Sequence, residues 1–144
     1  MIKKSKKYTL TLDVEETYRM LGICSHHSDY RLVWGINNEL NTNFIKAEKL
    51  FQVFGKKGTI VSEHSYYIFL DEENEINYYL IKNKCDNHYL IPEKIEFDYF
   101  FFICEDHYDL QKNIITKLRG VGSVLTASEL DAKNIKSTEN IDFN

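Results

Sequence analysis

Ile91-Pro92-Glu93-Lys94-Ile95-Glu96-Phe97-Asp98-Tyr99-Phe100-Phe101-Phe102-Ile103-Cys104 holds the chain's only proline and its densest aromatic run. A strand sends alternate side chains to opposite faces. Phe97, Tyr99, Phe101 and Ile103 would share one face, and Phe100 and Phe102 the other. Both sets are apolar, so this segment reads as a central strand covered on both sides. Pro92 cannot donate to a ladder and holds Ile91 extended, so the strand proper is expected from Glu96 to Cys104.

Working outward, the preceding chain reads as a β-meander. Leu50 to Phe54 is a strand, and Gly55-Lys56-Lys57-Gly58 is its hairpin turn. Thr59 to Leu70 is a long strand bent near Ser65, and Asp71-Glu72-Glu73-Asn74 is a polar turn. Glu75 to Asn83 follows as a strand, then the turn Lys84 to Asn87 and a short strand from His88 to Ile91. Further back, Tyr18 to Cys24 is read as a strand, because Gly22 disfavours a helix and a clear helix start follows. That start is Ser28 or Asp29, either of which can cap. Leu32, Val33, Ile36 and Leu40 form the helix stripe with Trp34 beside it, and Asn41 closes it. The alternation of Tyr8, Leu10, Leu12 and Val14 suggests one more strand near the N-terminus.

After the central strand, Asp106 or Asp109 can cap a second helix carrying Leu110, Ile114, Leu118 and Val121 at helical spacing. Gly120 and Gly122 stop it, and Ser123 to Leu130 reads as the last strand. Residues 133–144 form a polar tail with Ile135, Ile141 and Phe143 as candidate anchors, and residues 1–7 a basic, flexible tail.

This order predicts one α+β domain over residues 1–144. A single antiparallel β-sheet of about five to seven strands would carry two helices on one face. The nearest common arrangement is an elaborated ferredoxin-like split β-α-β, an analogy that licenses no function.

The segments Asp29 to Leu40 (DYRLVWGINNEL) and Leu90 to Ile103 (LIPEKIEFDYFFFI) resemble an uncharacterised family of small bacterial proteins named for its signature, IPExxVDY. The C-terminal stretch VLTASELDAKNIKSTENIDF is similar to that family's end, so the resemblance spans nearly the whole chain. Here the spacing from Glu93 to Asp98 is longer than in the signature, and Phe97 stands where it has valine. The resemblance implies the extent of the fold unit and no activity.

Bulk properties exclude several roles. With 43% hydrophobic and 28% charged residues over 144 positions, the chain is a folded domain with one core. A net charge of −4 argues against a nucleic-acid partner, since such binders show a basic excess or stripe. Lys3, Lys4, Lys6 and Lys7 form the only basic cluster. No stretch resembles a signal peptide's apolar block of about 7–15 residues. None approaches the ~18 apolar residues of a membrane span. A cytoplasmic location is therefore expected, in keeping with an odd number of cysteines, 3.

Each cysteine begins a Cys-x-x-His pattern: Cys24 and His27, Cys85 and His88, Cys104 and His107. The spacing suits zinc, but the expected topology puts Cys24 and Cys104 at opposite ends of neighbouring strands, roughly 20 Å apart. The cysteines are read as buried thiols, with no metal and no cofactor. Cys24 near a helix start is the best thiol-nucleophile candidate, but no orienting group accompanies it. There is no Gly-rich phosphate loop, GxSxG, HExxH or Walker sequence. No catalytic residue is assigned, and no enzyme is expected.

The same topology sets the start of the first helix beside the start of the central strand. That nominates a recognition patch of Asp29, Tyr30, Arg31, Pro92, Glu93, Asp98 and Tyr99, in which Arg31 would pair with a carboxylate. The competing reading makes Asp29 a cap, Glu93 a turn residue and Asp98 a satisfied lock on the turn. Functionally, a non-enzymatic protein-interaction or adaptor module is favoured. Helices on one sheet face would leave the other aromatic face for a protein partner or a second copy to cover. The alternative is a ferredoxin-like ligand-sensing domain that binds a small molecule at a dimer interface. A weaker alternative is an RNA-associated accessory protein, whose sheet aromatics would stack on bases.

Overall fold

The aromatic run forms the strand around which the sheet is laid. A computed structural model describes residues 18–104 and 113–143. Its elements are β1 (Tyr18–Cys24), α1 (Asp29–Leu40), β2 (Ile45–Lys46), β3 (Phe51–Phe54), β4 (Ile60–His64), β5 (Tyr66–Asp71), β6 (Ile76–Lys82), β7 (Lys84–Cys85), β8 (His88–Tyr89), β9 (Tyr99–Cys104), α2 (Ile114–Arg119) and β10 (Thr126–Leu130). Six strands make the main sheet, in the order β10-β1-β9-β6-β5-β2, and every neighbouring pair is antiparallel. The fold is α+β, as the sequence predicts.

β9 inserts between β1 and β6. Tyr99 faces Ile23 on one side and Lys82 on the other, and Cys104 faces Tyr18 and Asn77. Both of its faces are covered. On one face Tyr99, Phe101 and Ile103 pack with Leu32, Val33 and Ile36 of α1 and with Ile114 and Leu118 of α2. Both helices therefore lie on the same face.

Local chemistry sets the element ends. Ser28 caps α1, its hydroxyl accepting from the Arg31 amide at 3.4 Å, and Asn41 closes it in the left-handed region at φ 56°. Ser65 breaks the long strand in two: β4 pairs with β3 in a separate hairpin, while β5 joins the main sheet. In the hairpin turn Gly58 takes φ 77°, a conformation that glycine adopts without strain. The expected strand around Tyr8 to Val14, the basic tail and the Asp106 or Asp109 cap lie outside the described residues.

Two expectations need correction. Phe97 does not share the face of Tyr99, Phe101 and Ile103. Residues 96–98 are not strand; a 3-10 turn over Pro92–Lys94 precedes them and resets the alternation. The Phe97 ring instead lies on the second face, over Gly22, where an added Cβ would stand 2.6 Å from the ring. Gly22 is therefore a packing glycine: only a residue without a side chain lets the ring down onto β1.

The second correction concerns what covers that face. The chain covers it itself. Phe51 and Val53 of the hairpin, Leu90, Ile91 and Phe97 of the segment before β9, and Ala132 and Ile135 of the C-terminal segment pack on Phe100 and Phe102. Two 3-10 turns, Ala132–Asn134 and Lys136–Asn140, carry the C-terminal segment across. Phe143 then stacks on Tyr79 at 4.4 Å and stands edge-on to Phe102 at 5.1 Å. The anchors Ile135, Ile141 and Phe143 outweigh the polar composition of this tail, because three spaced apolar groups are enough to hold turns against an aromatic sheet.

Candidate functional site

The predicted patch divides into three places. Asp29, Asp98 and Tyr99 meet where α1 begins and β9 begins, in a cleft of about 550 Å³ that Ser25, Lys82 and Lys84 also line. Glu93 lies elsewhere. Its carboxylate accepts the Ser137 amide at 3.0 Å, which ties the Pro92 turn to the C-terminal segment, and the Ser137 side chain, chiefly, lowers the Glu93 pKa. Pro92 opens that same turn. Tyr30 and Arg31 are exposed on the outside of α1, and no ion pair joins Arg31 to a carboxylate among the described residues. The expected Arg31 pair is therefore not formed: each position along a helix turns a side chain by about 100°, so Arg31, two positions on from Asp29, is turned by about 200° and away from the cleft that Asp29 faces.

Backbone geometry builds the cleft floor. The chain leaves β1 at Cys24, and the Ser25 amide donates to Asp98 Oδ2 at 2.8 Å. The Asp98 amide donates to Ile23 O at 2.9 Å. The Ser25 hydroxyl in turn donates to Ser123 O at 2.7 Å, anchoring the loop before α1 to the chain before β10. Asp98 is thus a lock on the turn, with one carboxylate face still open to the cleft, since its side chain is exposed.

A residue that sequence reasoning passed over holds the other wall. Asn83 is 0% exposed. Its amide nitrogen donates to Lys94 O at 3.0 Å and Phe97 O at 2.9 Å. Its Oδ1 accepts the Ile91 amide at 2.9 Å. One buried side chain therefore satisfies three backbone groups of the segment that leads into β9. In the sequence Asn83 is only the last residue of a strand; its partners are about ten residues away and come together only when the chain folds back.

The tyrosines give the cleft its chemistry. Tyr67 lies near Asp29, and burial followed by the Asp29 charge raises its pKa. Tyr99 is only 5% exposed. Burial first, then the charges of Asp29 and Asp98, raise its pKa well above the ordinary 10.0. Its hydroxyl stays protonated at neutral pH and makes no hydrogen bond to any described residue. The ring is buried, and the residue lines the open cleft, where its hydroxyl is accessible to solvent or to a ligand.

On the facing wall, Lys82 stands directly across the strand pair from Tyr99. Lys84 lies over the Tyr89 ring at 5.9 Å. Neither lysine forms an ion pair with a described carboxylate. Lys82, Lys84, Tyr67 and Ser25 could not be nominated from the sequence, because only the register of β6 against β9 and the return of the loop after β1 bring them here.

The cysteines do not converge. Cys24 donates its thiol to Glu96 O at 3.2 Å, whereas Cys104 sits at the far end of β9 opposite Tyr18, and all 3 are free thiols. His107 lies outside the described residues. Among those described, no helix is long and apolar enough to cross a membrane.

Compared with known proteins, the chain matches no protein-family model and no curated sequence.

Proposed function

We propose that the protein is a non-enzymatic module that binds a small polar molecule in the cleft between the start of α1 and the start of β9. The observation that carries this is the Tyr99 hydroxyl, protonated and with no hydrogen-bond partner among the described residues, on a largely buried ring that lines an open cleft whose volume of about 550 Å³ falls within the usual range for small-molecule sites. A ligand atom that hydrogen-bonds this hydroxyl exchanges a bond to water for one inside the cleft, a net gain of about 0.5–1.5 kcal/mol. The cleft is built by one chain and needs no dimer seam. Melting of the whole protein against a metabolite library tests the idea. A ligand-induced rise in melting temperature that Tyr99→Phe reduces is expected. A protein that no metabolite stabilises, or one stabilised equally with Tyr99→Phe, would sink it.

A second reading retains the protein-interaction module on a different footing. Its original premise, an open aromatic sheet face, is gone because the chain closes that face itself. The same closure leaves no open platform of sheet aromatics for stacking on RNA bases. What favours interaction is the outer side of α1, where Tyr30 is 76% and Trp34 64% exposed one turn apart, with Arg31 between them. These residue types dominate interface energetics. Trp34 is the chain's only tryptophan, so its fluorescence reports directly on burial. A homodimer or a stoichiometric partner that Trp34→Glu releases supports this reading. A monomer that captures nothing, or a complex indifferent to Trp34→Glu, counts against it.

A further inference from the structure

The charges around Tyr99 are arranged by sign, and the arrangement selects a class of ligand. Asp29 and Asp98 stand beside the Tyr99 hydroxyl, close enough that their charges raise its pKa. Lys82 and Lys84 line the same cleft from the β6–β7 side. Opposite charges that share one cleft ordinarily close into ion pairs when their side chains can reach. Here they do not: no described carboxylate lies in an ion pair with either lysine. Asp29 accepts the Tyr30 amide at 2.9 Å, with Tyr67 nearby. Asp98 is engaged by the Ser25 amide at 2.8 Å. Asp29 at the start of α1 and Asp98 before β9 are thereby held by backbone amides on one side, and the exposed Lys82 and Lys84 stand on the strand and hairpin of the other. Asp86, at the tip of the β7–β8 hairpin, adds a third carboxylate to the lining. The cleft is therefore dipolar and, on balance, negative.

From this layout we infer that the ligand is a compact zwitterion of the amino-acid class, its ammonium held by Asp29, Asp98 and the Tyr99 hydroxyl and its carboxylate by Lys82 and Lys84. The inference rests on the small-ligand reading above and narrows it. An ammonium has three donors and no acceptor. Two carboxylates and a phenol oxygen offer it three acceptors. A carboxylate facing two ammonium groups completes the other end. A simple amine would leave the lysines unanswered, and a simple carboxylate would meet the repulsion of Asp29 and Asp98. Both halves on one small molecule satisfy the cleft together.

The test is calorimetric titration of the whole protein with each of the proteinogenic amino acids, with ethylamine and with acetate. At least one amino acid is expected to bind about tenfold or more tightly than ethylamine or acetate. Lys82→Gln should remove most of the preference for that amino acid over ethylamine. Tyr99→Phe should weaken binding of both ammonium compounds without changing the fold, as checked by circular dichroism. Two outcomes overturn the inference and are distinguishable. If no amino acid binds but the metabolite library yields another compound whose effect Tyr99→Phe reduces, the zwitterion is wrong and the cleft remains a ligand site. If neither the amino acids nor the library binds, the ligand-binding reading falls with it.

Discussion

The two faces of β9 carry nearly the same apolar composition and end very differently. On the face of Phe100 and Phe102, the hairpin, the segment before β9 and the C-terminal turns close over the strand, down to the Phe143 ring on Tyr79. On the face of Tyr99, Phe101 and Ile103, the helices cover the middle but stop short of the strand's beginning, and the Tyr99 hydroxyl opens into a polar cleft. The sealed face accounts for stability. The open end is the part to which the proposed ligand binding is assigned. A phenylalanine at position 99 would fill the same apolar space, so the hydroxyl there is not explained by packing.

That contrast predicts a graded series of stability effects. The largest should come from the sealed face: Phe100→Ala leaves a cavity under a ring that is 0% exposed, and a loss of about 3–5 kcal/mol is expected in denaturant unfolding. Next comes the wall between the two regions. Asn83→Ala strips the Ile91 amide and the Lys94 and Phe97 carbonyls of their shared partner. A loss of about 2–3 kcal/mol is expected, together with faster amide exchange at Ile91. Retained protection at that amide would show that Asn83 is not what holds the segment.

A smaller, pH-dependent effect is expected from His64, which is fully buried with its Nε2 2.8 Å from the Ser62 hydroxyl. Burial, chiefly, lowers its pKa below the ordinary 6.5, although the backbone of Lys82 and Asn83 partly opposes this. Because the unfolded chain takes up the proton first, stability is fully present above pH 6.5 and falls as pH drops from there toward the folded-state value. His64→Gln should flatten that part of the stability–pH curve, and an unchanged slope would remove His64 from the account. The smallest effect should be that of Tyr99→Phe. The hydroxyl it deletes makes no hydrogen bond to the described residues, so unfolding free energy should stay within about 0.5 kcal/mol of the parent or rise slightly. A loss of more than about 2 kcal/mol would mean the hydroxyl has a structural partner, and the contrast between the faces would fail at the residue that defines it.

Much of the architecture is legible because it is encoded locally. Ser28 and Asn41 mark the ends of α1 through their own side-chain and backbone chemistry. Gly58 marks a hairpin because it accepts a positive φ. The alternation within Tyr99–Cys104 announces a strand buried on both sides before any partner is known. Local signals also brought Asp29, Asp98 and Tyr99 to one end of the sheet, since a strand, a helix and an antiparallel return leave few alternatives. Local signals misassigned Arg31 and Glu93, because proximity of backbone segments does not say which way a side chain turns.

What only the tertiary structure decided are the matters that depend on distant segments meeting. A two-residue period cannot place Phe97, because the period begins only after the Pro92 turn ends; the absence of a side chain at Gly22 places it. Composition describes residues 133–144 as polar, yet Ile135 and Phe143 carry the segment onto the sheet, since a few well-spaced apolar contacts outweigh many solvated polar ones. The cleft is the furthest from the sequence of all. Lys82 meets Tyr99 through strand register, Tyr67 comes near Asp29 at the start of a helix, and Tyr99 lines the cleft only once the surrounding groups have been drawn into place by burial elsewhere.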